Sequence, residues 1–336
     1  MQTRLADIAQ QAQVSTATVS RVLNGRPGVS GSTRQSVLAA LDVLGYERPA
    51  SLTTKSVGLV GLVVPELTNP VFPAFVDAIE QHLTEERFTP VLCTQSPGGT
   101  SEDRYVEVLL DHAVNGIVFV SGLHADKQAN LGRYQRLRNS GVPIVLVNGY
   151  NDEIDAPFVS TDDTAAIDAS VDHLVALGHR RIGLAIGPDR FVPTRRKVAA
   201  FSAALARHGL DDGELHVSSS LYTAEGGQAA ATDLLDSRHT AIICGSDLMA
   251  LGAIRAARSN GLRVPEDVSV LGYDDSPLVA FADPPLTTIR QPVDAVCRAA
   301  VDALLAEMRG EKPSRVEQLF VPELVVRGST ARAPGV

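Results

Sequence analysis

The chain has 336 residues, 44% of them hydrophobic, and a formal net charge of −9. That length allows two or three domains, and with no apolar run of about eighteen residues a transmembrane helix is excluded. The acidic balance excludes adhesion of the whole chain to nucleic acid by charge alone, but residues 1–56 carry +3 and the remainder −12, the signature of a small polyanion-compatible head on an acidic body.

The N-terminal "MQTRLADIAQQAQ" lacks the basic-then-apolar layout of a signal peptide. Cys93, Cys244 and Cys297 are widely spaced, with no CxxC pair and no metal-ligand spacing. Each is expected to be a small buried hydrophobe in a reduced, cytoplasmic compartment, with no metal and no cofactor.

Leu5, Ile8, Ala9 and Ala12 recur at helical spacing and predict a first helix, broken by "QVS". Ser15 is a good N-cap for a second helix through about Leu23. Val19, Val22 and Leu23 share one face of it; Thr16, Ala17, Ser20, Arg21 and Asn24 share the other. A third helix starts near Ser32 or Thr33, turns Val37, Leu38, Leu41 and Leu44 inward and ends at Gly45. Three short helices with a tight turn between the first two form a helix-turn-helix layout. In such a unit the second helix enters the major groove N-terminus first. Thr16 and Ala17 are small enough for close approach, by hydroxyl hydrogen bond or contact with a thymine methyl. Arg21 reaches a guanine edge or a phosphate, while Ser15, Ser20 and Asn24 fix register on the backbone. Spacing alone leaves a merely solvated face open; the basic bias of the head favours DNA.

From residue 57 strand and helix patterns alternate: "VGLVGLVV", "NPVFPAFVDAIEQHLTEE", "TPVLCTQ", "EDRYVEVLLDHAV", "GIVFVSG", a helix from about Gln128 to Ser140, and "PIVLVNG". The series restarts near Thr161 with "ASVDHLVALGH", "RIGLAIG", "VAAFSAALARHG", "AAATDLLD", "TAIICGS", "LMALGAIRAARSNG" and "VSVLGYDD". This pattern predicts two parallel α/β halves with a cleft between them. Ligands of open parallel sheets sit at the carboxyl ends of the strands. Ser121, Asn148, Asp162, Ser246 with Asp247, and Asp274 with Asp275 fall just past those ends. As a set they suit a polar or polyhydroxylated small ligand; any one of them alone reads as an ordinary loop or cap.

"LADIAQQAQVSTATVSRVLNG" followed by "VSGSTRQSVLAALDVLGY" resembles the DNA-binding head of the lactose/galactose repressor (LacI/GalR) family. The resemblance extends over nearly the whole chain and implies that Thr16, Ala17 and Arg21 are the main base readers. It also implies a hinge helix that wedges a leucine into the minor groove. "YERPASLTTKSVGLVGLVVP" departs from that pattern: it is about three residues short and lacks the usual Asn and Ala-Arg. Leu52 falls at the wedge position, with a buried linker residue as the alternative.

"SVLGYDD", "PPLTTIRQP" and "LVVRGSTA" resemble the family's effector-binding body, which is built like a periplasmic sugar-binding protein. The resemblance implies Val71 and Phe72 on the first cleft helix and Ser121 and Asn148 after strands of the first half. It implies Tyr222 as the stacking aromatic, Asp274 as the carboxylate that takes ligand hydroxyls, and Gln291 at a crossover. Where the family carries an effector-binding arginine, this chain has Lys197, with Arg195 and Arg196 upstream as slipped-register alternatives; arginine and lysine are not equivalent donors.

The predicted fold class is therefore α/β: a three-helix helix-turn-helix head at 1–45, a linker at 46–58, and a periplasmic-binding-protein-like body at 59–336. The body is expected as two doubly wound parallel subdomains, about 59–160 with 291–320 and about 161–290 with 321–336. No heptad leucine tail follows "GSTARAPGV", so a homodimer is expected. The function implied is a transcriptional regulator, a repressor binding a palindromic operator under the control of a small sugar-like effector. The rivals are a small-molecule binding protein without DNA binding and an enzyme. Asp162–Asp163 and Asp274–Asp275 are adjacent carboxylates an enzyme could use, but sequence neighbours usually point apart, and no His or Cys partner stands at motif spacing.

Overall fold

The structure, a computed structural model, describes residues 4–23, 28–46, 56–95, 101–210, 213 and 216–335. The chain divides at Lys55/Ser56 into two compact units. Asn24 and Leu52 lie outside the described residues.

The first unit holds α1 (Leu5–Gln11), α2 (Thr16–Leu23) and α3 (Gly31–Val43). Ile8, Ala9, Val19, Val22, Val37 and Ala40 interlock as its core. Gln13 takes a left-handed conformation, φ 54°, and the Val14 N–H donates to the Ala9 carbonyl, which reverses the chain between α1 and α2. The Ser15 hydroxyl accepts the Thr18 N–H at 3.1 Å and so caps α2. α3 begins earlier than its sequence suggests: Ser30, not Ser32 or Thr33, is its cap, accepting the Thr33 N–H at 3.2 Å. Leu38 is 52% exposed rather than inward. Val37, Ala40, Leu41 and Leu44 form the inward stripe at i, i+3, i+4 and i+7, and Leu38 stands one position past it. Gly45, at φ 56°, ends the helix region.

The second unit is built on two six-stranded sheets. Its first sheet has the order β11-β5-β4-β3-β1-β2, from β1 (Gly58–Val64), β2 (Phe88–Thr94), β3 (Gly116–Val120), β4 (Ile144–Val147), β5 (Phe158–Thr161) and β11 (Gln318–Phe320), all parallel. The second has the order β12-β10-β9-β8-β6-β7, from β6 (Ile182–Ile186), β7 (Val217–Ser219), β8 (Ala241–Cys244), β9 (Ser269–Asp274), β10 (Thr287–Arg290) and β12 (Glu323–Val325). Among the described strands of this sheet only the edge strand β12 runs antiparallel.

Helices cover both faces of each sheet. On the first, α4 (Val71–Glu85) and α11 (Val293–Met308) fill one face. Phe75, Ile79 and Leu83 of α4 recur every four residues and interdigitate with Val296, Ala300 and Leu304 of α11. The other face takes α5 (Glu102–Asp111) and α6 (Gly132–Asn139). α6 starts four residues later than the sequence suggests, because Gln128–Leu131 form a turn in which the Asn130 side chain accepts the Gly132 N–H. On the second sheet α7 (Asp163–Ala176) and α8 (Val192–Arg207) cover one face, and α9 (Ala224–Asp236) and α10 (Asp247–Ser259) the other. Each sheet is thus sandwiched between its own two cores. The chain passes from one subdomain to the other at 161–163, 290–293 and 320–323. Cys93, Cys244 and Cys297 are buried, unpaired thiols.

Phe75 is fully buried while Leu38 stands on the surface. Phe75→Ala is expected to lower stability by about 3–5 kcal/mol through the cavity it leaves. Leu38→Ala is expected to change it by no more than about 0.5 kcal/mol. Urea denaturation of the full chain checks both.

Candidate functional site

The exposed face of α2 carries Ser15, Thr16, Ala17 and Arg21 together, with Ser20 half-buried beside them. Val19 and Val22 anchor the opposite face in the core, so the helix has one orientation in its unit. The Ser15 and Thr18 hydroxyls lie 2.9 Å apart at the N-terminus.

In the second unit the carboxyl ends of both sheets converge on a chain of hydrogen bonds. The Asn148 side chain accepts the Thr161 N–H at 3.3 Å, and the Thr161 hydroxyl donates to Gln291 Oε1 at 2.8 Å. Gln291 Nε2 in turn donates to Asp274 Oδ1 at 2.7 Å. The chain therefore runs from the end of β4 through β5 and the crossover to the end of β9. Asp274 sits at φ 119°, a backbone conformation uncommon for a residue with a side chain. Its Oδ2 is buried without a hydrogen-bond partner.

Asn69 accepts the Val71 N–H at the start of α4 and lies close enough to Asp274 to favour its ionised form. That contact brings Val71 and the half-buried Phe72 to the cleft. Burial, then the charge of Asp247, raises the Asp274 carboxyl well above the usual range, against the pull of Gln291 and Lys197.

Tyr222 lies against Gly187 and Gly245, where a Cβ would overlap its ring, and its hydroxyl pairs with Thr194 at 2.8 Å. Three other predicted residues serve the scaffold. Asp162 caps α7 through the N–H groups of Thr164 and Ala165. Ser246 caps α10 through Met249. Asp247 is buried and accepts from the Thr288 hydroxyl and the Ser276 N–H, both at 2.6 Å. The Ser121 N–H is spent on the Val147 carbonyl, holding the end of β3 to β4.

Of the three bases on α8, Arg195 turns outward to Asp189. Arg196 makes two parallel bonds to Glu317, at 2.8 and 2.7 Å, across to the segment that enters β11. Lys197 is buried, donates to Asp163 and lies over the Tyr273 ring, 4.1 Å from its centroid. Burial opposes its charge, but Asp163 and the two neighbouring tyrosines hold its pKa above the ordinary lysine value.

Sequence reasoning missed Asp163 as the partner of Lys197. It also missed a rim contact in which the Lys127 N–H bonds the Arg190 carbonyl and Arg190 pairs with Asp126 at 3.2 Å. Buried Glu102 braces that rim loop, accepting from the Tyr134 hydroxyl at 2.5 Å and the Leu123 N–H at 3.0 Å. Among the described residues there is no cluster of His, Cys, Asp and Glu that would hold a metal, and no helix long and apolar enough to cross a membrane.

The fold and these sites define a class: a helix-turn-helix head on a two-lobed body with a polar hinge. Comparisons agree with it. Residues 4–49 match the family described as "Bacterial regulatory proteins, lacI family", and residues 171–330 match "Periplasmic binding protein-like domain". The HTH-type transcriptional regulator reg1 of Streptomyces lividans is 60% identical, over 100% of this chain and 99% of its own. MalR of Streptomyces coelicolor is 61% identical over 100% and 98%. Among solved structures, a transcriptional regulator CelR–cellobiose complex superposes with a TM-score of 0.73 at 32% identity, over 98% of this chain and 100% of that one. The lac repressor dimer bound to operator and the anti-inducer ONPF superposes at 0.71 and 29% identity, over 98% and 100%. The chain belongs to the LacI family of bacterial transcriptional regulators.

Asp247 is pushed up to about 6, by burial first, against the hydrogen bonds from Thr288 and Ser276, and Asp274 is raised as well. An acid that holds its proton more tightly when folded stabilises the fold fully below its unfolded value of about 4, and that contribution is lost as pH rises through the folded value. The expected result is that Asp274→Asn, which cannot ionise, gains melting temperature relative to wild type as pH goes from 5 to 7.5. Paired thermal melts across that range check it.

Proposed function

We propose that this regulator is a repressor that binds a palindromic operator as a homodimer in the cytoplasm, with a small polar, sugar-like effector in the cleft setting its affinity for DNA. The single observation that carries the effector reading is the unpartnered buried oxygen of Asp274, next to the hydrogen-bonded crossover. A buried carboxylate oxygen with no partner is costly, and a ligand hydroxyl would satisfy it. Tyr222 would supply an apolar face for the ligand. Val71, Phe72, Asn148 and Gln291 would line the remainder. CelR is solved with cellobiose and a related regulator with ribose, which supports a carbohydrate for this chain too. No catalytic group is needed for this function, and the reading is of a binder, not an enzyme.

Thr16 and Ala17 would lead α2 into the major groove, with Arg21 one turn behind and Ser15 and Ser20 on the backbone. One head makes few contacts, so two must be held at a fixed spacing. Half-sites one helical turn apart are about 34 Å from centre to centre. The exposed Leu251 of α10 and the exposed Leu278 and Phe281, the last at 85%, offer an apolar surface for the partner copy. The Arg258 side chain ties this region together by donating to the Asp283 carbonyl at 2.6 Å. Ligand closing the lobes about the three crossovers would change the spacing of the heads, with coupling of about 1–3 kcal/mol typical of such switches.

Selection from a pool of randomised duplexes at two salt concentrations tests the DNA reading. The expected outcome is an enriched palindrome whose affinity falls steeply with salt; no enrichment at either salt would count against it. Arg21→Ala is expected to weaken the selected site by about 1–3 kcal/mol and to relax sequence preference at one base pair per half-site. Phe281→Asp is expected to sediment as a monomer and to lose operator affinity about 100-fold, through loss of the second head. A Phe281→Asp protein that stays dimeric would remove this surface from the interface.

A further inference from the structure

α8 presents three bases in succession, and each already has its charge met within the protein. Arg195 pairs with Asp189 at 2.9 Å and Arg196 with Glu317. Lys197, the buried one, is held by Asp163, which also lies 3.5 Å from the Tyr273 hydroxyl. The Tyr273 ring covers the ammonium from one side. Against this the buried acids Asp163, Asp247 and Asp274 stand together, and Asp274 Oδ2 has no partner. Among the described residues, the buried base Lys197 is thus already engaged, while the buried acid Asp274 keeps an unmet oxygen.

We infer that Asp163 is a specificity-determining residue: by taking up the Lys197 charge it makes the cleft a receptor for an uncharged polyhydroxylated effector and closes it to the phosphorylated or carboxylated form of the same molecule. The inference rests on the effector reading above. A buried anion needs a free cation or a full set of donors. Here it would meet Asp274 Oδ2 and would have to displace Asp163 from Lys197. A hydroxyl has no such difficulty, since it donates to Asp274 Oδ2 and leaves the Lys197 pair intact. Discrimination of this kind comes from the repulsive element as much as from the attractive one.

The test uses the full chain and matched sets of probes: ribose with ribose 5-phosphate, glucose with glucose 6-phosphate and glucuronate, and cellobiose with its 6′-phosphate. Thermal shift finds the binders and calorimetry gives their affinities. Binding is expected only from neutral members, with the anionic counterpart at least about 100-fold weaker. Asp163→Asn, which leaves the Lys197 charge unmet, is expected to narrow that ratio at least tenfold. The double variant Asp163→Asn/Lys197→Gln removes the buried charge pair and covers the case in which the single variant does not fold. It is expected to bind the neutral member within about fivefold of wild type and still to refuse the anion.

An anionic probe that binds wild type as tightly as its neutral partner overturns the inference and leaves the effector reading standing. So does a ratio unchanged in Asp163→Asn. Loss of neutral binding in the double variant overturns it as well, because Lys197 would then be a direct ligand. If no member of any set binds, the inference and the effector reading fall together.

Discussion

The body of this protein depends on one side-chain amide. Gln291 accepts from Thr161 on the first sheet and donates to Asp274 on the second. It is 7% exposed, and it stands at a point where the chain itself crosses. An amide is suited to the place because it donates and accepts at once. A carboxylate there would face Asp274 with like charge, and a lysine would leave the Thr161 hydroxyl without an acceptor. Further contacts between the lobes include the Lys127 N–H to the Arg190 carbonyl and the ion pairs Arg196 with Glu317 and Arg190 with Asp126. Each lobe keeps its own apolar cores. A joint made of a few polar groups between two close-packed bodies favours rigid-body motion, because the cores resist deformation while the joint can be remade.

The same division explains why the head and body can be read separately. On the proposed reading the head's specificity would be a surface property of α2, set by which residues Val19 and Val22 leave facing out. The body's specificity, on the proposed reading, would be an interior property, set by which buried charges are already spent. The first is altered by exchanging exposed side chains at little cost in stability, whereas the second involves groups whose burial makes every unpaired charge expensive.

Much of the architecture was legible in the sequence because long, fully buried strands such as β1 and β3 are written as unbroken apolar runs. β5 and β7 escaped notice. One is only four residues long with two polar members, and the other is three residues of Val-Ser-Ser. The late start of α6 was hidden in an Asn130 turn that periodicity cannot register. At the cleft, Asp274, Gln291 and Tyr222 were marked by motif, and their positions could be named. What each base on α8 does could not, since Asp163 stands 34 residues from Lys197 and only the packing of α7 on α8 brings them together. The adjacent pair Asp162–Asp163 makes the point: one caps a helix and the other neutralises a lysine, because successive side chains leave the backbone in different directions.

The three crossings have a consequence for synthesis. The first lobe's sheet begins at Gly58, but its last strand is Gln318–Phe320, and α11 supplies Val296, Cys297, Ala300, Val301 and Leu304 to the core beneath it. Until those residues leave the ribosome the face of α4 that carries Phe75 and Ile79 has no helix to pack against. The second lobe lies almost wholly between, from Asp163 to Arg290. Domains usually form in order of emergence, yet here the lobe that emerges first is completed only after the other has been made. Its half-built apolar face is the surface that a nascent chain must keep from other chains in the interval.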